Sequence, residues 1–120
     1  MFEIFPEIKH VIVICGRSDL RRGINGLTAM VRLHYDLDPM KTGTLFLFCG
    51  TKRDRIKGLV FNGTGFYLLY IRLSNGRFQW PRNSDEARDI SPEQYKRFIE
   101  GFAIDSSIKD YKKHEEAPNN

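Results

Sequence analysis

Short, continuously apolar runs alternate with polar segments along this chain. The runs VIVIC (11–15) and LFLFC (45–49) are each followed by glycine and then by a basic segment. Uninterrupted apolar runs of this length are typical of strands that are buried on both faces of a sheet. The pattern therefore predicts two internal strands, near 10–15 and 44–49, that end beside polar loops.

The segment SDLRRGINGLTAMVRLHYDL between these two runs has helical periodicity. Its apolar residues recur every three or four positions, and Arg21 and Arg32 fall on the opposite side. Ser18 or Asp19 could cap the N-terminus, because both residue types accept hydrogen bonds from the first turn of a helix. We therefore predict an amphipathic helix near 19–35 that carries a basic stripe.

From residue 43 onward the chain has the signals of strands and turns. The stretches NGTG (62–65) and SNG (74–76) are good hairpin turns, and they separate segments rich in aromatic and β-branched residues. The pattern predicts an antiparallel meander with strands near 55–61, 66–73 and 77–80.

The remainder predicts a polar loop, a short helix and a tail. Residues 81–89 are mostly polar, and Ser91 followed by Pro92 is typical of a helix start, which predicts a helix near 92–102. The 120-residue length suits one domain with a real core. We expect a single α+β domain over 1–104, with helices packed on a mostly antiparallel sheet, and a polar, flexible tail over 105–120.

The NGTG turn also fixes which residues of the meander face each other. If the turn is symmetric, Phe61 faces Phe66, Lys57 faces Tyr70, and Arg55 faces Arg72. One face of the meander then collects a core, made of Ile56, Val60, Tyr67, Leu69, Ile71, Leu73, Phe78 and Trp80. The other face carries Arg55, Lys57, Tyr70, Arg72, Arg77 and Gln79 towards one end.

Two arginines opposite each other need a compensating anion, because like charges facing each other destabilise a sheet. Asp19 or Asp54 could supply it internally through charge-assisted hydrogen bonds, and a phosphate backbone could supply it externally. A face that mixes cations with an aromatic ring also resembles nucleic-acid contact surfaces. The predicted nucleic-acid-binding residues are Arg21, Arg32, Arg53, Arg55, Lys57, Tyr70, Arg72, Arg77 and Gln79.

Composition permits a polyanionic partner without requiring one. Nineteen Lys and Arg against fifteen Asp and Glu give a net charge of +4. Cys15 and Cys49 have no zinc-ligand spacing and are expected to be reduced, buried thiols, and no motif indicates a metal or another cofactor. No apolar run could span a membrane and the first residues do not resemble a signal peptide, so we expect a cytoplasmic protein.

Other interpretations of the same residues remain open. The basic segment 51–57 could be a solvated turn that protects a strand edge from aggregation. Tyr70 and Trp80 could serve only in packing. Asp19 and Asp54 could be the carboxylates of a metal-dependent nuclease, although no third acid is clearly placed beside them, and the chain has neither a P-loop nor a GxSxG motif.

Three ordered stretches carry a resemblance to a known family. They are CGRSDLRRGINGL, GTLFLFCGTKRDRIKGLVFNGTGFYLLYIRLSNGRFQWP and ISPEQYKRFIEGF, which together cover roughly 10–103. The chain resembles the TnpB-type accessory protein, the second reading frame of insertion sequences of family sixty-six. The family's motif positions fall here on Asp19, Arg21, Gly23, Gly26, Arg53, Asp54, Arg55, Lys57, Arg72, Gly76, Arg77, Phe78 and Trp80.

The resemblance implies a non-catalytic helper in DNA transposition, encoded beside a larger transposase. Our leading hypothesis is that the basic sheet face binds DNA without sequence preference. The alternative is an interaction module that docks on the transposase or on a second copy of itself, without touching DNA. A metal-dependent nuclease is the third hypothesis.

Overall fold

The computed structural model describes residues 6–82 and 86–99, which form a five-stranded sheet with one helix on each face. The strands follow the spatial order β4-β3-β2-β1-β5, and only β1 and β2 are parallel neighbours. The predicted α+β class with a mostly antiparallel sheet is confirmed. The elements are β1 (His10–Ile14), α1 (Ile24–Tyr35), β2 (Thr44–Cys49), β3 (Arg55–Phe61), β4 (Phe66–Arg72), β5 (Ala87–Ile90) and α2 (Pro92–Ile99).

The parallel pairing of β1 and β2 brings the loops that follow these two strands together. Parallel strands need a crossover connection, and α1 supplies it. The carboxyl ends of both strands therefore lie at the same edge of the sheet, with the loops 15–23 and 50–54 side by side. The Ser18 N–H donates to the Cys49 carbonyl at 2.7 Å across these loops.

Each face of the sheet has its own apolar cluster. Leu27 and Val31 of α1 pack on one face with Phe46, Phe48 and Leu59. Phe98 of α2 packs on the other face, and all eight residues of the predicted meander core belong to that second cluster. Burial on both faces explains why β2 has no polar residue except Thr44.

Cys15 and Cys49 end the first two apolar runs as buried thiols without a disulfide. Burial raises the pKa of the Cys49 thiol to about 12, because a thiolate would lose its hydration there. Cys49 therefore stays protonated and behaves as a core residue.

The register predicted from the NGTG turn is confirmed. Phe61 pairs with Phe66, Lys57 with Tyr70, and Arg55 with Arg72. The Asn62 side chain holds the turn, because its Oδ1 accepts hydrogen bonds from the N–H groups of Thr64 at 3.0 Å and Gly65 at 2.9 Å. Gly63 adopts φ +103, a conformation that L side chains rarely take.

The predicted strand near 77–80 is wrong. This segment pairs with no strand, and its backbone bonds go to loops: the Phe78 N–H donates to the Arg53 carbonyl at 2.7 Å. The rings of Phe78 and Trp80 are buried in the core, and the residues between and before them are polar. This alternation in the sequence resembles that of a strand. The fifth strand is Ala87–Ile90, which overlaps the end of the loop predicted over 81–89, and it pairs with β1.

The helix predicted from residue 19 begins only at Ile24. Its N-cap is Gly23, without a side-chain hydrogen bond, so the prediction of Ser18 or Asp19 as the cap is wrong. Asp19 instead accepts a hydrogen bond from the Arg21 N–H at 3.0 Å, and this local turn competes with helix formation.

The start of α2 is confirmed. Ser91 and Gln94 form a capping box, in which the Gln94 N–H donates to the Ser91 hydroxyl at 3.1 Å and the Gln94 side chain accepts from the Ser91 N–H at 2.8 Å. The predicted end of this helix and the tail at 105–120 lie outside the described residues. Neither described helix is long and apolar enough to cross a lipid bilayer.

Candidate nucleic-acid interface

An open groove of about 990 Å³ lies where β1 and β2 end, on the face that carries α1. The loop after β1, the loop after β2 and the adjacent parts of β3 and β4 form its walls. We call it the basic groove, because five cations line it beside one carboxylate, Asp19. The cations are Arg17, Arg21, Lys52, Arg55 and Lys57.

Asp19 and Arg21 form a two-pronged ion pair on the wall of the basic groove. The Arg21 Nε and Nη2 groups donate to the two Asp19 carboxylate oxygens, each at 3.0 Å. These side-chain hydrogen bonds, with the one from the Arg21 backbone, lower the pKa of Asp19 to about 2. The Arg21 side chain is still 91% exposed, so the pair orients the guanidinium while leaving it accessible.

Asp54 and Arg55 form the second ion pair. The Arg55 Nε and Nη2 donate to the Asp54 carboxylate at 2.9 and 3.2 Å, and the hydrogen bond from Arg55 lowers the pKa of Asp54. The positive charge of Arg72 lowers that pKa further. Asp54 is thus the anion that accompanies the two arginines facing each other across β3 and β4.

Lys57 ties β3 to the loop before α1. Its Nζ donates to the Arg22 carbonyl at 3.0 Å, immediately before the Gly23 cap. A lysine ammonium has three N–H donors, so this bond leaves two for another acceptor in the basic groove. Tyr70, its partner across the strands, borders the same groove and is 53% exposed.

Arg17 and Lys52 are groove cations that the sequence prediction missed. Both are exposed, and neither makes an ion pair with any residue that the structure describes. Arg17 is the first residue, and Lys52 the second, after the glycine that ends a continuous apolar run, and this similar position was the available signal. It becomes informative only when β1 and β2 are known to be parallel, which brings the two loops together.

A smaller depression of about 330 Å³ lies on the other side of the same edge, towards the α2 face. Three arginines, Arg17, Arg53 and Arg82, line it together with Trp80, and we call it the arginine hollow. No carboxylate among the described residues lines it. Arg17 belongs to both depressions, so the loop tips form a ridge between them.

The structure does not bring all the predicted residues together. Arg21, Arg55, Lys57 and Tyr70 line the basic groove, whereas Arg53 lines the arginine hollow. The other four predicted residues lie outside both depressions. Arg72 pairs with Arg55 at the end of β4, and Arg32 lies in the last turn of α1. Arg77 and Gln79 are exposed on the segment 73–81 and do not extend a sheet face, because no strand forms there.

The chemistry available at this edge is anion binding. Guanidinium and ammonium groups that project from loops suit phosphate oxygens, and neighbouring carboxylates fix the direction of two of them. Among the described residues, no three His, Cys, Asp or Glu side chains are grouped closely enough to hold a metal ion.

Comparison with known proteins identifies the family. Residues 9–109 match the family described as "IS66 Orf2 like protein". Two proteins of Sinorhizobium fredii (strain NBRC 101917 / NGR234), named Uncharacterized protein y4jC and Uncharacterized protein y4hO, are 35% and 34% identical over 92 residues. The alignments cover 77% of this chain and 78% and 79% of theirs. No solved structure matches significantly. The chain belongs to the IS66 Orf2-like family of accessory transposition proteins.

Proposed function

We propose that this accessory protein binds the phosphate backbone of DNA in the basic groove, without sequence preference. The observation that carries the proposal is the excess of cations in an open groove: five cations line it against one carboxylate. Arg17 and Lys52 have no ion-pair partner in the described part of the chain, and such cations are the ones available to phosphates.

The two ion pairs support the same role. Asp19 and Asp54 each engage the Nε and one Nη group of an arginine, Arg21 and Arg55 respectively. The other N–H groups of Arg21 stay available for phosphate oxygens, whereas Arg55 also shares a side-chain hydrogen bond with Tyr70 and keeps fewer. A positioned guanidinium loses less side-chain entropy on binding than a mobile one. The carboxylates therefore reduce the net positive charge near the groove, but they hold two guanidinium groups in fixed orientations.

The arginine hollow extends the proposed contact surface. Because Arg17 lines both depressions, a backbone that leaves the basic groove over the ridge would next meet Arg53 and Arg82. Contacts of this kind hold phosphates and carry no base information, which is why we propose binding without sequence preference. Tyr70, exposed beside the groove, would pack its ring on a sugar or an unpaired base.

The test is the salt dependence of binding to a labelled duplex, measured by fluorescence anisotropy. Among the cations that line the basic groove, Arg17, Lys52 and Lys57 make no ion pair with a carboxylate of the described residues, so about three phosphates should be neutralised in the groove. The slope of log K against log salt is then about −2.7, roughly a 40-fold loss of affinity between 50 and 200 mM salt. Arg17→Ala combined with Lys52→Ala should reduce the slope to about −0.9.

A matched control removes the same charge elsewhere. Lys41→Ala combined with Lys96→Ala changes two exposed lysines, one before β2 and one on α2, and should leave the slope close to that of the unmodified protein. Equal loss in both double variants, or binding that does not respond to salt, would refute the proposal. Retention of DNA only when the transposase is present would favour the docking alternative.

The proposed role is non-catalytic, and it is tested separately. Incubation of the protein with duplex DNA and Mg²⁺ or Mn²⁺ should leave the DNA intact. Cleavage that disappears in Asp54→Asn would contradict this part of the proposal and support the metal-dependent nuclease, because removing one metal-binding carboxylate abolishes two-metal chemistry.

A further inference from the structure

The outer edge of β4 is the longest open strand edge in the structure. β4 is the terminal strand of the sheet, and no strand among the described residues pairs with its outer side. Its sequence FYLLYIR contains no proline or glycine and only one charge, at Arg72. The opposite edge strand, β5, is four residues long and carries Arg88 and Asp89. Strand edges without such protection pair readily with other strands.

The ladder between β3 and β4 determines which backbone groups point outward. The Leu73 N–H donates to the Asp54 carbonyl at 2.7 Å, and the Asn62 N–H donates to the Gly65 carbonyl at 2.9 Å, at opposite ends of one continuous register. Hydrogen-bonded pairs alternate along an antiparallel ladder, so the odd-numbered residues of β4 bond to β3. The even-numbered residues, 66, 68, 70 and 72, therefore direct their N–H and C=O groups outward.

We propose that β4 pairs in antiparallel fashion with β4 of a second copy, around a two-fold axis at Leu69. In this register position 66 faces 72, and 68 faces 70, of the partner, so every outward residue meets another outward residue. The four pairs can exchange two hydrogen bonds each. A shift of the axis to position 68 or 70 leaves only three such pairs.

Side chains favour the same register. Arg72 lies opposite Phe66 of the partner subunit, and the two arginines are at opposite ends of the interface, so like charges stay apart. Ile71 faces the partner's Tyr67, a pairing of β-branched and aromatic residues that stabilises sheets. The interface therefore matches outward backbone groups of one copy to those of the other and places no like charges opposite each other, which favours a second copy as the occupant.

The pairing would join the two basic grooves. A two-fold axis perpendicular to the sheet keeps both α1 faces on the same side, and Leu68 and Tyr70 of β4 line the groove of their own subunit. Leu68 would lie opposite the partner's Tyr70, so the two grooves would meet across the interface. This inference goes beyond the proposed function and does not depend on it.

Disulfide trapping tests the register without DNA. At the axis, Leu69 faces Leu69 of the partner subunit in a non-hydrogen-bonded pair, with Cα atoms about 4.5 Å apart, which is within disulfide range. The full-length Leu69→Cys protein should form a covalent dimer on mild oxidation with copper phenanthroline. The dimer should be absent in the unmodified protein, because Cys15 and Cys49 are buried.

Ile71→Cys is the matched control. It lies on the same face of β4 and is similarly half-buried, but in the proposed register the two copies of position 71 are roughly 14 Å apart and cannot be bridged. Sedimentation velocity of the unmodified protein, between about 5 and 500 μM, gives a second readout that needs no variant. We expect a concentration-dependent dimer.

Either measurement can overturn the inference. A monomer at every concentration excludes the second copy and leaves β4 to be covered within one chain or by another protein. Equal cross-linking of Leu69→Cys and Ile71→Cys would show pairing without the proposed register.

Discussion

Trp80 fixes the segment 73–81 to the end of β1, and replacing it by phenylalanine tests this anchor. The indole N–H donates to the Ile14 carbonyl at 2.9 Å, and the side chain is only 5% exposed. Its ring also contacts Phe98 and Phe78, with centroids 5.1 and 6.4 Å away. The substitution Trp80→Phe keeps an aromatic ring in the cluster but removes the hydrogen bond and part of the volume.

The expected cost has two parts. Loss of the donor leaves a buried carbonyl without that partner, which costs about 1–2 kcal/mol. The smaller ring leaves a partly filled space, which costs about 1 kcal/mol more. The free energy of unfolding should therefore fall by about 2–3 kcal/mol, a large fraction of the stability of a domain of this size.

Urea unfolding followed by far-ultraviolet circular dichroism measures this loss. Fluorescence is unsuitable because Trp80 is the only tryptophan in the chain. Phe78→Leu is the control, because it removes ring volume from the same cluster without removing a side-chain hydrogen bond, and it should cost about 1 kcal/mol. If Trp80→Phe costs no more than Phe78→Leu, the hydrogen bond to Ile14 does not anchor the segment.

Two further predictions concern the sheet and the ion pairs. In Gly58→Ala the new Cβ would lie 3.1 Å from Leu45 Cδ1, so crowding should outweigh the gain in backbone entropy and cost about 1 kcal/mol in urea unfolding. Gly65→Ala meets no atom within 4 Å and should cost nothing; an equal loss at both sites would exclude crowding as the cause. Asp19 should titrate near pH 2 in carboxyl-detected NMR, and its stabilising contribution, present above its unfolded pKa near 3.8, should be lost as the pH falls towards 2. Arg21→Gln should move that titration towards 3.8, and an unchanged midpoint would show that Arg21 does not cause the shift.

Local pattern was sufficient for the hairpin of β3 and β4. The turn at 62–65 and the alternation of side chains determined every pair between β3 and β4, because the register of a hairpin follows from its turn and its apolar face. The apolar runs 11–15 and 45–49 were recognised as internal strands for a similar reason: they are covered on both sides.

The sequence pattern did not predict β5. It has four residues at the sheet edge, and its residues Arg88 and Asp89 are polar, so its pairing with β1 depends on backbone hydrogen bonds that side chains do not report. The error at Phe78 and Trp80 has the opposite origin. Their side chains alternate like those of a strand, while their backbone leaves the ladder.

The candidate site was predicted in part. Arg55, Lys57 and Tyr70 followed from the hairpin register, which is local information. Arg17 and Lys52 depend on the parallel pairing of β1 with β2, a contact between distant parts of the chain that one sequence does not reveal. The sequence alone therefore did not predict the site residues that depend on pairing between distant strands.

The parallel pair has a consequence for the order in which the molecule folds. β2, β3 and β4 are joined by short turns, whereas Val11 pairs with Ile90 across most of the chain, so closing β1 and β5 into the sheet costs the most loop entropy. The hairpins should form first and β1 should join late. Because the basic groove needs the ends of both β1 and β2, a chain that has paired only β2, β3 and β4 has no groove. Any anion that binds the groove therefore stabilises the last and most non-local step of folding.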